Sequence, residues 1–246
     1  MNLVLLGTGG YFPTCRRHTA CLMLPEVGIL LDAGSGMCRI GDYLQTDRLE
    51  IFLTHAHLDH VSGLTYLVNL IPAEVLKRTT VRGDDAKLSA VREHLFAETI
   101  FPVPPPFCFE PLGQSCPLLG GGKLTHFVLE HPGSSLGFRL DWPDHSMAYV
   151  TDTTARADAD YVDRIRGVDL LLHEAYFATD GKNLPQITGH SSLLHVAQVA
   201  AAATVGRVVL IHIDPQVEDE SVYDLAAAKR IFPNIELGAD GMEIEF

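Results

Sequence analysis

Short apolar runs alternate with turn signals along the whole of the 246-residue chain. Short apolar runs that end at glycine, proline or polar clusters are typical of buried strands, whereas longer segments with apolar residues at helical spacing indicate helices. We therefore predict strands at 2–6, 21–24, 28–32, 51–53, 135–140, 147–151, 170–173, 208–211 and 242–246. Helices are predicted at 61–70, 84–96, 192–203 and 221–232. Mixing of the two types from start to end predicts an α/β protein.

The predicted elements fall into two strand-rich halves, each followed by helices. This order predicts two sheets packed face to face with helices outside, in one domain over residues 1–246, a length routine for a single α/β domain. Apart from the helix at 84–96, the stretch 79–126 is rich in turns, with four prolines in 102–106 and a glycine triplet at 120–122. We expect it to supply loops near the mouth of a site, although the role of the proline-rich segment stays open.

The composition is that of a globular protein, with 47% hydrophobic and 20% charged residues. Apolar runs such as Ile29–Leu31 and Val208–Ile211 are far shorter than the roughly 20 residues of a membrane-spanning helix. No basic residue precedes the run Leu3–Leu6, so no signal peptide is expected. The five cysteines form no CxxC pair, which favours free thiols in a reducing compartment. We expect a cytoplasmic protein with no membrane partner.

The formal net charge of −13 repels polyanions over the whole molecule. Binding of long RNA or DNA draws most of its affinity from phosphate neutralisation by lysine and arginine. The most compact basic cluster near a candidate site is only Arg16-Arg17. The charge therefore favours a small substrate over a long nucleic acid.

The strongest chemical signal is the pattern H-x-H-x-D-H, formed by His55, His57, Asp59 and His60. Neutral imidazole and carboxylate are suitable ligands for zinc, manganese or iron. The first two histidines are two residues apart, so they face the same side of an extended segment. One metal does not easily take all four side chains, whereas two metals about 3.5–4 Å apart do. The alternative, a solvated polar loop, is disfavoured by the apolar runs on both sides.

Three later residues stand at the end of an apolar run, either immediately after it or one residue further on: His131, Asp152 and His212. A ligand must stand at such a position to reach a site at the edge of a sheet. A single histidine at a strand end is more often structural. As a set that follows H-x-H-x-D-H, the three predict further ligands.

These motifs together resemble the metallo-beta-lactamase superfamily, and within it the ribonuclease Z branch and its phosphodiesterase relatives. The resemblance rests on segments that span nearly the full chain: Leu6–Gly10 with Pro13 and Arg17, Leu31–Gly34, Leu53–His60, His173–Ala175, Gly189–Ser192 and Val209–His212. It implies a four-layer αββα sandwich and a centre of two divalent metal ions. Zinc is favoured because imidazole dominates the ligands, with manganese or iron as alternatives.

The resemblance also implies a role for each residue. His55, His57 and His131 would hold one metal, Asp59, His60 and His212 the second, and Asp152 would bridge both. Asp32 would brace the histidine loop by hydrogen bonds. Two metals lower the pKa of a bridging water toward about 7, which gives a hydroxide nucleophile.

The remaining implied roles concern catalysis and substrate. Asp59 would orient or deprotonate the nucleophile, and His190, held by Glu174, would protonate the leaving group. Ser134 and Ser135, just after His131, are candidate phosphate contacts.

One departure from the branch bears on the substrate. Transfer-RNA-processing members usually carry a long flexible arm between the equivalents of His131 and Asp152, and only 20 residues separate the two here. We therefore favour a phosphodiesterase acting on a small phosphodiester, such as a cyclic nucleotide or a short oligonucleotide. Ribonuclease Z-type tRNA 3'-processing is the alternative. A thioester or lactam hydrolase and a non-catalytic metal-binding module also stay open, as does the homodimer that the family often forms.

Overall fold

The computed structural model describes residues 1–70, 75–181 and 184–246. These residues form two compact units, one made of residues 1–114 and 239–245 and the other of residues 115–238 and 246. None of the helices in the described ranges is long and apolar enough to cross a membrane.

The first unit is built on a seven-stranded mixed sheet. Its strands are β1 (Asn2–Gly7), β2 (Cys21–Leu24), β3 (Ile29–Leu31), β4 (Arg48–Phe52), β5 (Arg78–Gly83), β6 (Cys108–Pro111) and β14 (Glu243–Glu245). They lie in the order β14-β1-β2-β3-β4-β5-β6, antiparallel from β14 to β3 and parallel from β3 to β6. Its helices are α1 (Ile40–Tyr43), α2 (Leu58–Val61), α3 (Leu67–Leu70) and α4 (Asp85–Ala90). Three 3-10 segments (Pro25–Val27, Ser35–Arg39, Ser62–Tyr66) and a π-helical turn (Val91–Leu95) complete it.

The second unit also contains a seven-stranded mixed sheet. Its strands are β7 (Ser115–Pro117), β8 (Lys123–Leu129), β9 (Ser135–Asp141), β10 (Ser146–Val150), β11 (Leu170–Glu174), β12 (Arg207–Ile211) and β13 (Ile235–Leu237). The order is β13-β12-β11-β10-β9-β8-β7, antiparallel from β7 to β10 and parallel from β10 to β13. Its helices are α5 (Tyr161–Arg164), α6 (Leu184–Thr188), α7 (Leu193–Ala203) and α8 (Leu225–Ile231), with 3-10 segments at Leu119–Gly121 and Glu220–Val222.

Each unit has its own apolar core. In the first unit, strand residues such as Leu30 and Ile51 pack against helical residues such as Leu64 and Leu88. In the second, Leu171 and Leu210 pack against the alanine-rich face of α7. The cores fix the parallel strands, so the residues that follow those strands stand at defined positions along one edge of the sheet in each unit.

Three of these residues, Asp32, Asp152 and His212, have left-handed backbones with φ of 58°, 53° and 52°. Asp32 and His212 directly follow β3 and β12, and Asp152 is the second residue after β10. All three strands take part in parallel pairing. A left-handed backbone is uncommon outside glycine, although aspartate and histidine adopt it more readily than most residues. Such strained positions concentrate at functional sites.

The predicted helix at 61–70 is wrong as a continuous element. The structure has α2, a 3-10 segment and α3 in succession, because Gly63 packs its backbone directly on the loop after β3. A Cβ at this position would stand 2.2 Å from the carbonyl oxygen of Gly34, and the Gly63 amide donates to Ala33. The amide of Gly63 bonds outside the segment, so a regular α-helical hydrogen-bond ladder does not run through it.

Two further segments differ from the prediction. The stretch 79–126 contains most of β5, all of β6 and β7, and the start of β8, and the first two owe their order to parallel pairing outward from β4. The helix predicted at 221–232 is shorter, since α8 begins only after Asp224, whose side chain caps it. The proline-rich residues 102–106 form an irregular connection that leads to β6.

Candidate metal centre

The first unit gathers the whole H-x-H-x-D-H motif in the short connection between β4 and α2. The imidazole ring centres of His55 and His57 are 4.4 Å apart, and those of His55 and His60 are 4.3 Å apart. His57 is the N-terminal cap residue of α2, so Asp59 and His60 lie in its first turn. The end of a buried strand and the start of a helix therefore turn all three rings toward one another.

Asp32 fixes this connection from the neighbouring strand. Its buried carboxylate accepts the Thr54 amide at 2.8 Å and also the Thr54 hydroxyl. It also contacts Nδ1 of His60 at 2.8 Å. Because a carboxylate only accepts hydrogen bonds, the His60 proton sits on Nδ1, and Nε2 is the atom available to a metal. Asp32 thus stands where the sequence predicts a brace.

The contacts of His55 give the same tautomer. Nδ1 of His55 lies 3.0 Å from the hydroxyl of Thr54. That hydroxyl directs its own proton at Asp32, so it accepts the proton on Nδ1 of His55 and leaves Nε2 for a metal.

The spacing of the donor atoms also suits a metal. Nε2 of His60 lies 3.4 Å from Oδ2 of Asp59. Two donor atoms bound at about 2.0–2.1 Å to one tetrahedral zinc are separated by about 3.3 Å. The residues of this unit therefore fit a divalent cation in donor type and in spacing.

Asp59 has a further partner that the sequence did not indicate. The backbone amide of Tyr11, in the loop after β1, donates to Oδ2 of Asp59 at 2.9 Å. Tyr11 has a left-handed backbone with φ of 61°. Only the neighbouring glycines hinted that this loop is unusual, and they did not point to Asp59.

In the second unit, His131, Asp152 and His212 come together. Oδ1 of Asp152 lies 3.4 Å from Nε2 of His212, and Oδ2 lies 3.5 Å from Nε2 of His131. The two carboxylate oxygens therefore face different imidazoles, an arrangement suited to a carboxylate that bridges two cations. His131 directs Nδ1 at the carbonyl of Gly189, so its Nε2 too is the atom turned toward Asp152.

Glu174 and His190 form the pair that the sequence predicts. Glu174 is the last residue of β11 and fully buried, and its Oε2 lies 3.1 Å from Nδ1 of His190. Its Oε1 accepts the amide of Thr153, the residue after Asp152. Ligand-capable atoms of Asp152, His190 and His212 all lie within 4.8 Å of one another. The pair therefore borders the Asp152–His212 contact directly.

Close backbone packing brings His190 to this position. Gly189 has φ of 73°, and a Cβ there would stand 2.6 Å from Pro132 and 3.1 Å from Nδ1 of His131. On the other side, the hydroxyl of Ser191 donates to the carbonyl of Thr153. Glycine before His190 and serine after it are therefore both required by the contacts that they make.

Tyr176 was not singled out by the sequence. Its ring stacks on His190, with ring centres 4.8 Å apart and planes 19° apart, and lies 5.9 Å from the ring of His212. Its carbonyl accepts the hydroxyl of Tyr223 at 2.7 Å, which anchors the backbone. The only available signal was its place two residues after Glu174.

The two serines after His131 differ from each other. Ser134 is exposed in a turn with φ of 66°, and its role as a phosphate contact stays a prediction. Ser135 is only 1% exposed, and its hydroxyl donates to the carbonyls of Thr151 and Asp152. Ser135 therefore supports the Asp152 turn rather than facing a substrate, which corrects its predicted role.

His173, next to Glu174, is buried inside the second unit. Burial lowers the pKa of His173, although its hydrogen bond to the Glu174 carbonyl acts in the opposite direction. Its Nε2 lies 3.0 Å from the hydroxyl of Tyr161, whose pKa burial raises far above the ordinary value. His173 is therefore a neutral packing residue in the interior of the second unit.

Comparison with known proteins agrees with the resemblance. Residues 29–213 match the family model described as the beta-lactamase superfamily domain, so the chain belongs to this superfamily. Ribonuclease Z of Gemmatimonas aurantiaca is 26% identical over 299 aligned positions, which cover 98% of this chain and 94% of the relative. Ribonuclease Z of Bradyrhizobium diazoefficiens is 28% identical, with 97% of each chain covered. Within the superfamily, the chain lies in the ribonuclease Z-like branch.

Solved structures share the fold. The metallo-beta-lactamase fold protein YhfI of Bacillus subtilis matches with a TM-score of 0.82 at 17% identity, over 99% of both chains. The short form of human tRNase Z matches with a TM-score of 0.77 at 20% identity, over 100% of this chain and 99% of that one. A diphosphatase of the PhnP family matches with a TM-score of 0.73 at 21% identity, over 100% and 96%. The αββα fold class is confirmed, and the chain is a dinuclear metal-dependent hydrolase.

Proposed function

We propose that the chain is a phosphodiesterase that hydrolyses a small phosphodiester, such as a cyclic nucleotide or a short oligonucleotide. The observation that carries the proposal is the Glu174–His190 pair beside Asp152 and His212. Hydrolysis of an alkyl phosphodiester expels an alkoxide, which leaves far more readily when an acid protonates it. A lactam or thioester hydrolase has less need of a histidine held by a buried carboxylate.

The proposal includes the metal ligands. We assign His55, His57 and His131 to one divalent cation, Asp59, His60 and His212 to the second, and Asp152 to both. When bound, such a pair of cations activates a water and neutralises charge on the phosphate oxygens. The donor atoms in each unit, with their spacings of 3.4–3.5 Å, support the assignment.

The protein groups then divide the proton transfers between them. Asp59 accepts the proton of the attacking water, whose oxygen forms the new bond to phosphorus. As the bond from phosphorus to the leaving oxygen breaks, that oxygen takes the proton from Nε2 of His190. Glu174 keeps the other imidazole proton on Nδ1 and stabilises the imidazolium that His190 forms before the transfer.

Three observations support a small substrate. The net charge of −13 opposes the approach of a long polyanion. The alignment with the Gemmatimonas enzyme spans 299 positions, whereas this chain has 246 residues, so that relative carries segments that this chain lacks. The short interval between His131 and Asp152 leaves no room for the arm expected of transfer-RNA-processing members.

The second candidate is tRNA 3'-processing, and the names of the relatives favour it. It predicts saturable binding of a precursor transfer RNA that weakens steeply as salt concentration rises. A gel-shift titration at low salt tests this prediction. Absence of binding there would remove the candidate.

The test of the first candidate compares two leaving groups in metal-loaded protein. We expect cleavage of bis(p-nitrophenyl) phosphate and of methyl p-nitrophenyl phosphate, and slower cleavage of a dialkyl phosphodiester. His190→Ala should slow the dialkyl ester by about 10²–10⁴-fold, because its alkoxide needs the proton, and the p-nitrophenyl esters much less. His94→Ala, at an exposed position on the π-helical turn, is the matched control.

Elemental analysis of the same preparations identifies the metal and shows whether His190→Ala keeps it. Unchanged turnover of the dialkyl ester by His190→Ala would contradict the role of this histidine. Wild-type protein that is inert to phosphodiesters but active on thioesters or lactams would replace the proposal with one of those functions. Metal-replete protein that hydrolyses none of these three classes of substrate would instead support a non-catalytic metal-binding module.

A further inference from the structure

The loop after β1 carries two adjacent aromatic side chains on the protein surface. Tyr11 is 74% exposed and Phe12 is 40% exposed. Their rings meet edge to face, with centres 5.9 Å apart and planes at 72°. Rings exposed to this degree contribute little to the core of the first unit, and they are free to contact a ligand.

The backbone of this loop connects the rings to the candidate metal centre. The amide of Tyr11 donates to Oδ2 of Asp59 at 2.9 Å, from a left-handed backbone that is strained for an aromatic residue. Because the ring centre of a tyrosine lies about 4 Å from its Cα, the ring is held within about 8 Å of that carboxylate. This span is comparable to the distance between the phosphate and the base of a nucleotide.

The loop is also held in place at both of its ends. The carboxylate of Asp240 accepts the amide of Thr8 at 2.9 Å and the amide of His18 at 2.6 Å. Between these anchors, the amide of Gly9 donates to the carbonyl of His18. The rings therefore stand on a fixed base, which reduces the entropy lost when a ligand stacks on them.

We propose that Tyr11 and Phe12 form a stacking platform for the base of a nucleotide whose phosphate lies at the candidate metal centre beside Asp59. The inference rests on the proposed function and narrows its substrate to phosphodiesters that carry a nucleobase. Tyr11 provides the more exposed ring, and Phe12 packs against it edge to face. Base stacking on an aromatic side chain is sequence-tolerant, so the platform recognises a planar base rather than one particular base.

The experiment measures binding of two ligands that differ only in the base. Adenosine 5'-monophosphate and ribose 5-phosphate are titrated into metal-loaded protein by calorimetry. We expect the nucleotide to bind more tightly by about 5- to 150-fold, the range that corresponds to the stacking of one base. Tyr11→Ala should bring the ratio of the two dissociation constants close to one, whereas Tyr11→Phe should keep it.

Val222→Ala is the matched control, because it removes an exposed apolar side chain in the second unit. It should leave the ratio unchanged. Equal affinity of wild-type protein for the two ligands, or failure to bind either, would overturn the platform. So would a Tyr11→Ala variant that weakens both ligands equally, since that result indicates a structural effect through Asp59. Hydrolysis of the base-free dialkyl ester tests the proposed function separately, so failures of the two proposals are distinguishable.

Discussion

The carboxylate of Asp240 offers the sharpest test of how the first unit is held together. Its side chain is only 6% exposed and accepts hydrogen bonds from three distant segments. Oδ1 accepts the amide and the hydroxyl of Thr8, at 2.9 and 2.7 Å. Oδ2 accepts the amide of His18 and Nη1 of Arg39, both at 2.6 Å. We predict that Asp240→Asn, which keeps the shape of the side chain, strongly destabilises the protein.

The magnitude follows from these contacts. An asparagine oxygen still accepts two of the four donors, but its NH₂ group then faces the other two, and the negative charge is lost. Hydrogen bonds to charged groups contribute about 1.5–3 kcal/mol each. The Arg39 side chain is 32% exposed, so water replaces part of its contact. We therefore expect a loss of about 3 kcal/mol in the free energy of unfolding, or about 6–12 °C in Tm for a chain of this size.

Thermal unfolding of metal-loaded protein, followed by circular dichroism, measures the effect. Asp141→Asn is the control, because Asp141 also accepts an arginine, Nε of Arg139 at 2.9 Å, but its side chain is 42% exposed. Pairs at the surface contribute at most about 1 kcal/mol. A decrease in Tm for Asp240→Asn no larger than that for Asp141→Asn would refute the reasoning.

Three further predictions concern the candidate site. Asp32→Asn should weaken metal binding by about 10- to 100-fold in a chelator competition, because it disturbs the bond that orients His60 while asparagine tolerates the left-handed backbone. His173→Gln should reduce the loss of stability in acid, because burial lowers the pKa of the His173 imidazole in the folded protein. Below about pH 6.5 the unfolded chain therefore binds a proton at this residue that the folded chain does not, which favours unfolding. Tyr176→Leu should slow the dialkyl ester more than the p-nitrophenyl esters, because the ring that stacks on His190 is lost, whereas Tyr176→Phe should behave like the wild type.

Each of these predictions has a clear contrary result. Metal affinity of Asp32→Asn equal to that of the wild type would show that the histidine loop keeps its orientation without the carboxylate. For the effect of acid, the control is His94→Gln, at an exposed position. An equal change in the acid dependence of stability in both variants would exclude burial of His173 as the cause. The same fractional loss on every ester in Tyr176→Leu would indicate a general disturbance of the site rather than of His190.

The sequence alone determined the chemical identity of the candidate ligands. Imidazole and carboxylate side chains at fixed spacing in 55–60, and single polar residues after apolar strands at Asp152 and His212, are local features that a linear reading detects. The Glu174–His190 pair could be predicted from the sequence because its two motifs resemble those of a known family. Most strands were also predicted, since burial on both faces leaves continuous apolar runs.

Only the tertiary structure decided how those side chains are supported. Asp32 contacts His60 across 28 positions, the Tyr11 amide contacts Asp59 across 48, and Asp240 contacts Thr8 across 232. Such contacts depend on strand order and on left-handed turns, which no local pattern specifies. A long-range contact also interrupts the helix predicted at 61–70, because the backbone of Gly63 packs against the loop after β3. Local side-chain type therefore fixes which atoms are able to bind a metal, and long-range hydrogen bonds fix where those atoms point.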